Sequence, residues 1–251
     1  MSDLRILVPR IFHPDAVTTG FTTRSGGVSL PPFDSLNLGF HTADDPAAVR
    51  ENHRILYNHI GIPDNRAALM GQIHGSNVRI VDESGLYPDT DALLTSRSGL
   101  LLGVRVADCV PMLVFDARKG VIGAVHCGWK PIVSGIVERT VETMRRTWDS
   151  DPSNIRAALG PSAGPCCYEI GIEVASRLSK HAIREQGGRL FADLRSEVVL
   201  RLVNAGIFTD RIEADAPCTI CGESRFYSHR RDGARSGRMM GFIMLRRTSE
   251  R

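Results

Sequence analysis

Short apolar runs and amphipathic stretches are mixed along the chain, and together they predict both strands and helices. Five apolar runs have the length of a strand rather than that of a helix. They are Leu100–Val106, Met112–Phe115, Val121–Val125, Ile155–Leu159 and Phe242–Leu245. The runs do not alternate regularly with helical segments, which favours an α+β fold. One domain over residues 1–251 is the simplest organisation for a chain of this length.

Four segments carry apolar residues at helical spacing. In the first, Asp45 is suited to cap a helix that begins at Pro46, and apolar residues return at Val49, Leu56 and Ile60. Each of the other three apolar stripes predicts one helix. These stripes are Val133, Ile136, Val137, Val141, Met144 and Trp148; Ile172, Ala175, Leu178 and Ala182; and Leu194, Val198 and Leu202, ending near Gly206.

Composition narrows the class of protein. The chain is 42% hydrophobic with a net charge of +3, which fits a globular protein that binds a small anion, and no nucleic-acid stacking motif is present. No segment has the ~20 apolar residues of a membrane span, and MSDLRILVPRIF does not resemble a secretory leader. We therefore expect a cytoplasmic protein without membrane or nucleic-acid partners. Its six cysteines are then expected to be reduced, metal-bound or catalytic.

Three stretches end an apolar run with a ligand-type side chain followed by a turn former. They are GQIHG with His74, VADCVP with Cys109 and AVHCGW with His126. Two imidazoles and one thiolate would supply three ligands to a catalytic zinc whose fourth position stays open. Each residue alone is equally typical of a half-buried structural side chain. The sequence separation forms no local ligand motif, so the pattern alone leaves both interpretations open.

Strand geometry distinguishes between the two cysteines near His126. Successive side chains of a strand point to opposite faces, so His126 is predicted to share a face with Ala124 and Ile122, and Cys127 to point away. Cys109 comes from another strand and has no such restriction. It is therefore the predicted partner of His126.

A series of motifs runs nearly from end to end of the chain. They are FTTRSGGVSLPPFDSLNLGFHTADDPAAVRENHRIL, GQIHG, VADCVPML, GAVHCGW, ALGPSAGPCCYEIG and FYSHRRDGARSGR. In these motifs the chain resembles a known family, called variously purine nucleoside phosphorylase, polyphenol oxidase or laccase-domain protein. The resemblance implies a single α+β domain of two mixed β-sheets packed face to face, with helices outside in a four-layer α/β/β/α arrangement.

The resemblance also implies a site and an activity. Its zinc ligands fall on His74, Cys109 and His126, which would be catalytic. Apart from the resemblance, Asp108 is a further catalytic candidate, as a proton carrier or as a residue that orients a ligand histidine. Phosphate would displace the base of a purine nucleoside (adenosine, inosine or methylthioadenosine), and water at the same site would deaminate adenosine. The family usually reads AVHAGWRG where this chain has Cys127, Lys130 and Pro131. Lysine keeps the charge of arginine without its bidentate fork, which weakens any prediction of anion binding there.

Two other activities use the same residues. A copper-dependent polyphenol oxidase (laccase) is one alternative, but coupled copper centres need many imidazoles, and the eight histidines here form no HxH pair. Copper is therefore less expected than zinc. The second alternative is a cysteine-dependent hydrolase, such as one that edits peptidoglycan precursors, with Cys109 as nucleophile and a histidine as base.

Further residues are candidates for substrate contacts. They are Arg24, Asn37, Gln72 and Arg230. Arg24 lies in TRSGGV, which is typical of a hairpin turn but could also bind phosphate. Arg230 belongs to a pair of arginines suited to phosphate oxygens or to a solvated surface. Asn37 is suited to a sugar contact or to its own turn, and Asp91 to orienting a ligand histidine or to capping.

The remaining cysteines form a CxxC, Cys218 and Cys221, and an adjacent pair, Cys166 and Cys167. A CxxC alone is compatible with half a zinc site or with a redox pair. A four-cysteine zinc site is one hypothesis. A buried dithiol is the interpretation that the sequence favours.

Overall fold

The computed structural model describes residues 4–63, 65–222 and 224–246. The strands in chain order are β1 Ile6–Leu7, β2 Val17–Thr22, β3 Ala67–Gly71, β4 Val78–Ile80, β5 Gly85–Pro88, β6 Ala92–Thr95, β7 Leu101–Val106, β8 Val110–Asp116, β9 Val121–Cys127, β10 Ile155–Leu159, β11 Glu169–Ile170, β12 Ile183–Gln186, β13 Arg189–Ala192, β14 Ile212–Glu213 and β15 Met239–Leu245. The helices are α1 Pro46–His59, α2 Trp129–Val133, α3 Ile136–Trp148, α4 Ile172–Ala175, α5 Leu194–Asn204 and α6 His229–Asp232. Short 3₁₀ turns are Pro152–Asn154, Lys180–Ala182, Thr209–Arg211 and Gly233–Arg235.

The strands form two mixed six-stranded sheets. The first has the order β1-β2-β15-β7-β3-β5 and the second β14-β10-β8-β9-β6-β4. Strand β3 is parallel to both its neighbours, and β4–β6 and β10–β14 are also parallel pairs, whereas the other pairs are antiparallel. All five predicted strands are confirmed. A three-stranded sheet, β11-β13-β12, lies outside the prediction.

Alternating side chains build the layers. Leu101 packs with Leu56 of α1 on the outer face of the first sheet, and the next residue, Leu102, belongs to the cluster between the sheets. From the second sheet, Ile122 enters that inner cluster, while Val125 packs outward with the residues of α3 and α5. The predicted α+β domain of two facing sheets with helices outside is confirmed. The ends of the predicted range, residues 1–3 and 247–251, lie outside the described residues.

Two of the four predicted helices form as expected. Asp45 accepts a hydrogen bond from the Ala47 backbone N–H and caps α1, and the helix that contains Leu194 begins after the Asp193 cap and ends before Gly206, whose φ is 97°. In the described ranges no helix is both long and apolar enough to cross a bilayer.

The second predicted helix is confirmed as α3, except that Val133 ends α2, because Gly135 between them adopts a left-handed conformation with φ 84°. The prediction for the stripe from Ile172 is wrong in extent. The stripe from Ile172 to Ala182 gives only the four-residue α4 and a 3₁₀ turn. After α4 the N–H groups of Arg177 and Leu178 donate to carbonyls three residues back, and the Ser179 N–H donates to the carboxylate of Glu197 on α5.

Candidate active site

The three predicted ligand side chains meet at one edge of the two sheets. His74 follows β3 of the first sheet, Cys109 lies in the turn from β7 to β8, and His126 is on β9 of the second sheet. Their ligand atoms all lie within 4.8 Å of one another. The imidazole rings of His74 and His126 are nearly perpendicular, with centroids 4.8 Å apart. The chain therefore assembles one His–Cys–His trio from segments that are distant in sequence.

A buried carboxylate orients the trio. Asp91 is fully buried, and its Oδ1 accepts hydrogen bonds from His126 Nδ1 at 2.8 Å and from the His74 backbone N–H at 3.1 Å. Its Oδ2 accepts from the Gly75 N–H at 2.7 Å. Because Nδ1 of His126 donates to Asp91, Nε2 is the nitrogen left to face Cys109. Such a carboxylate–histidine pair is the usual support of a metal-ligating imidazole.

The charges within the trio favour a thiolate. Burial opposes ionisation of the Cys109 thiol, but the neighbouring imidazoles of His126 and His74 outweigh it and lower its pKa to about 6. Burial likewise opposes protonation of His126, yet the Cys109 sulfur and the Asp91 carboxylate raise its pKa to about 9. One thiolate and two imidazoles are a donor set that fits zinc well.

Two cavities open on either side of His74 and Cys109. The first has a volume of about 420 Å³, and its walls include Phe40, Gln72 and Arg238. The second has a volume of about 390 Å³ and shares only His74, Ala107, Cys109 and His229 with the lining of the first. Its walls are Ile73, Ala107, Asp108, Trp129, Lys130, Tyr168, Leu194, His229 and Arg230, besides His74 and Cys109.

A buried arginine, Arg105, and a half-buried one, Arg238, give the first cavity a positive charge. Arg105 is 8% exposed and donates to the Met70 carbonyl at 2.6 Å, and Arg238 donates to the carbonyls of Ser236 and Gly237. Burial lowers the pKa of both guanidinium groups. Neither forms an ion pair with a carboxylate of the described chain. Two such cations facing one cavity have the charge and geometry suited to binding an anion.

The sequence interpretation missed both of these arginines. The available indication was Arg105 itself, a charged residue inside the apolar run Leu100–Val106. A charge on a strand buried on both faces needs a specific reason. Arg238 precedes β15 and carries no such mark, because only the folded chain brings it beside Arg105.

Three of the predicted substrate-site residues line the cavities. Gln72 borders the first cavity, but its amide is bound to the Arg105 backbone through both its nitrogen and its oxygen. Asp108 borders the second cavity and accepts from the Thr219 hydroxyl at 2.6 Å and the Arg230 backbone N–H at 2.7 Å. The Arg230 guanidinium lies over the Tyr168 ring, 4.8 Å from its centroid.

The structure does not bring Arg24 or Asn37 to either cavity wall. Arg24 donates to Asp34 and stacks on Tyr227, which matches the turn interpretation rather than phosphate binding. Asn37 is fully buried; it accepts from the N–H groups of Gly39 and Arg238. Both side chains therefore hydrogen-bond within loops, and their contacts with a substrate stay predictions.

The other cysteines separate into two environments. Cys127 is fully buried in the outer cluster of the second sheet, on the face opposite to the one that carries Ile122 and Ala124, as the strand alternation predicts. Cys166, Cys167, Cys218 and Cys221 come together, with their sulfurs within 4.8 Å of one another, and Cys166 and Cys221 are exposed. The favoured interpretation of a buried dithiol is therefore wrong: four thiols meet, and two of them reach the surface.

Comparison with known proteins agrees with this architecture. The profile of the family described as "Multi-copper polyphenol oxidoreductase laccase" matches residues 18–246. A Mycobacterium tuberculosis protein named purine nucleoside phosphorylase is 40% identical over 89% of this chain and 90% of its own length. Purine nucleoside phosphorylase YfiH of Escherichia coli is 34% identical over 96% of this chain and 99% of its own.

Solved structures show the same fold. YlmD from Geobacillus stearothermophilus superposes with a TM-score of 0.90 at 33% identity, covering 95% of this chain and 94% of its own. The YfiH protein of Bacillus licheniformis gives 0.88 at 33% identity, covering 94% and 98%. The chain therefore belongs to the laccase-domain (polyphenol oxidase) family. Within that family the chain is similar to proteins named purine nucleoside phosphorylase, among them YfiH of Escherichia coli and YlmD of Geobacillus stearothermophilus, and these relatives support its being an enzyme.

Proposed function

We propose that the protein is a zinc-dependent purine nucleoside phosphorylase that acts on adenosine, inosine or methylthioadenosine. The observation that carries the proposal is that the His74–Cys109–His126 trio faces the same cavity as the guanidinium groups of Arg105 and Arg238, to which the described residues offer carbonyl partners but no carboxylate. Metal ligands and anion-binding cations within one cavity suit a reaction between phosphate and a polarised substrate.

Three groups in the lining of the first cavity would contribute to this reaction: the two arginines, Phe40 and the trio. Arg105 and Arg238 would hold the phosphate, since charge-assisted hydrogen bonds to phosphate are strong and directional. Phe40 offers an apolar ring beside them; it stacks on His53 with 4.7 Å between centroids and lies 5.9 Å from the Arg105 guanidinium. A zinc ion held by the trio would supply Lewis acidity.

The same site supports a second reaction. Here water would attack C6 of the adenine ring instead of C1′ of the ribose, and the amino group would leave as ammonia, so that adenosine would be converted to inosine. We therefore include adenosine deaminase activity in the proposal. It depends on the same three ligands and does not require the two arginines to hold an anion.

An activity screen tests both reactions. Zinc-loaded protein is incubated with adenosine, inosine or methylthioadenosine, with phosphate present or withheld, and free base, ribose 1-phosphate (or its methylthio analogue) and inosine are measured by chromatography. We expect free base and sugar phosphate only with phosphate, and inosine from adenosine without it. The absence of any product would overturn the proposal.

Matched variants assign the activity to this site. Cys109→Ala is expected to abolish turnover, and Cys127→Ala, which removes a thiol from the opposite face of β9, is expected to retain it. Arg238→Gln is expected to raise the KM for phosphate at least tenfold, the effect of losing about 1.4 kcal/mol of binding. The same variant should leave the KM for adenosine in deamination much less affected.

A cysteine-dependent hydrolase is a second candidate, because the lowered pKa of Cys109 beside His126 is also typical of a nucleophilic thiol. Treatment with a chelator separates the two hypotheses. A nucleoside reaction that stops on chelation and returns with zinc supports the metal enzyme. Activity that persists in chelator, with a substrate-derived adduct on Cys109 detected by mass spectrometry, would favour the hydrolase.

Copper oxidase chemistry finds less support in this structure. In the described part of the chain, the metal-ligand clusters are one trio with two imidazoles and one group of four cysteines. Neither resembles the imidazole-rich centres that coupled copper ions require. Metal analysis of protein purified without added copper tests this directly, and stoichiometric copper would favour the oxidase.

A further inference from the structure

A second cluster of ligand-type side chains lies outside the trio. Cys166 and Cys167 occupy the turn before β11, and Cys218 and Cys221 belong to the loop after β14. The sulfurs of all four lie within 4.8 Å of one another. Cys221 Sγ is 3.4 Å from Cys166 Sγ and 3.0 Å from Cys167 Sγ.

We propose that these four cysteines bind one structural zinc ion. In a tetrahedral zinc–thiolate site, with Zn–S bonds of about 2.3 Å, the sulfurs are about 3.8 Å apart. That value lies between the 3.0 Å separation of the Cys167 and Cys221 sulfurs and the 4.8 Å within which all four sulfurs lie. Because Cys221 is close to both Cys166 and Cys167, a disulfide would use only one of these contacts, whereas a single ion uses all of them.

The backbone prepares one of the thiols as a ligand. The Gly164 N–H donates to Cys218 Sγ at 3.2 Å. Burial opposes ionisation of Cys218, but the N–H groups of Cys221, Gly164 and Ile220 outweigh it and lower the pKa of this thiol to about 7. Gly164 permits the approach, because a side chain there would begin only 3.2 Å from the Cys218 Cβ.

Cys166 and Cys167 remain protonated thiols in the absence of an ion. Burial and the neighbouring Cys221 raise the pKa of Cys166 to about 11, and the contact with Cys221 raises that of Cys167. Four thiols this close oppose one another's ionisation, and a divalent cation among them removes that opposition. Zinc binding would replace the thiol protons, which pass to the solvent, and no electron is transferred.

The two cysteine-bearing segments are already aligned by the backbone. Ser162 and Cys218 form an isolated parallel bridge, in which the Thr219 N–H donates to the Ser162 carbonyl at 3.0 Å. The turn at Gly164 is closed by hydrogen bonds from the N–H groups of Cys167 and Tyr168. These contacts hold the ligands in place before an ion binds, which lowers the entropic cost of binding.

The location of the cluster gives the ion a structural purpose. Thr219, between the two cysteines of the CxxC, is fully buried and donates to Asp108 beside Cys109. On the other segment, the Glu169 carbonyl accepts from Arg230, which lies over Tyr168. Joining the two segments would therefore fix the wall of the second cavity.

Metal counting with matched variants tests the proposal. His74→Asn removes a ligand of the trio while keeping a residue type that tolerates the positive φ of 59° at this position. Cys218→Ser/Cys221→Ser removes two ligands of the cluster, and Cys127→Ala is the cysteine control. After zinc loading and gel filtration, we expect two zinc ions per chain in the wild type and in Cys127→Ala. We expect one in Cys218→Ser/Cys221→Ser, held by the trio, and one in His74→Asn, held by the cysteine cluster.

A spectroscopic measurement keeps the proposal testable even if the cysteine variant does not fold. In zinc-loaded His74→Asn protein, X-ray absorption at the zinc edge should show a shell of sulfur only, with bonds of about 2.3 Å. A shell containing nitrogen or oxygen would overturn the proposal. So would disulfides at these cysteines in intact protein, or iron with acid-labile sulfide in place of zinc. Because zinc content and ligand type are read without activity, failure here leaves the proposed phosphorylase reaction independently testable.

Discussion

Asp91 connects the candidate ligands to each other at the scale of single residues. One carboxylate accepts from the ring of His126 and from the backbone of the His74–Gly75 turn, so it fixes both the tautomer of one ligand and the position of the other. A buried carboxylate with these partners is an acceptor only. An asparagine in this position would have an NH2 group in place of one oxygen, and that donor would face the N–H donors of His126 or of the His74–Gly75 turn.

Asp91→Asn is therefore expected to weaken zinc binding at the trio by about 10- to 100-fold, the usual effect of losing such a partner. Competition with a chromophoric chelator measures the affinity. Asp89→Asn is the matched control, since Asp89 is exposed in the same loop. Its φ is positive, a conformation that asparagine tolerates. Equal affinities in the two variants would show that Asp91 does not orient a metal ligand.

At the scale of elements, the alternation along β9 decides which cysteine joins the site. Ile122 and Ala124 face the inner cluster and Cys127 the outer one, so the sequence period of two was enough to select Cys109 as the partner of His126. Gly128 follows the strand at the point where Cys109 approaches. Glycine fits this position because a Cβ there would lie 2.9 Å from the Cys109 sulfur. The helical stripe from Ile172 was less informative, because the backbone changes to three-residue turns at Arg177, which the spacing of the apolar residues does not show.

Helix α1 supports the cavity through His53. This side chain stacks under Phe40, donates from Nε2 to the Leu38 carbonyl at 3.0 Å and accepts at Nδ1 from the Tyr57 hydroxyl at 3.0 Å. Burial lowers its pKa to about 4. The ring is therefore neutral in the folded protein over a range in which the unfolded chain, with a histidine pKa of about 6.5, binds a proton.

The sign of the pH dependence follows from this difference. Between about pH 6.5 and pH 4 the unfolded state binds more protons, so the free energy of unfolding falls on acidification by up to about 1.4 kcal/mol per pH unit from this group. Denaturant unfolding of metal-free protein over this range should show a smaller loss for His53→Gln than for the wild type. His59→Gln, at an exposed position of the same helix, should follow the wild type. Parallel curves for all three proteins would contradict the assignment.

At the scale of the whole molecule, the layers were predictable and the meeting of distant loops was not. Periodicity identified the five long strands, because each is buried by its own apolar residues. The two-residue strands β1, β11 and β14 have too few residues for a period. The four-cysteine cluster and the pairing of Arg105 with Arg238 depend on contacts between segments far apart in sequence, which no local pattern encodes.

The trio joins the two sheets, since His74 leaves the first sheet and His126 belongs to the second. An ion bound there holds only in the folded arrangement and should stabilise it by mass action, by about 4 kcal/mol at a free zinc concentration 1,000 times the dissociation constant. For a chain of this size each kcal/mol raises the unfolding midpoint by about 2–4 °C.

Calorimetry of Cys218→Ser/Cys221→Ser protein isolates this effect from the cysteine cluster. We expect chelation to lower its midpoint by several degrees, and the further change His74→Asn to remove most of that shift. A midpoint that ignores the chelator in the first protein would mean that no ion joins the sheets at this point.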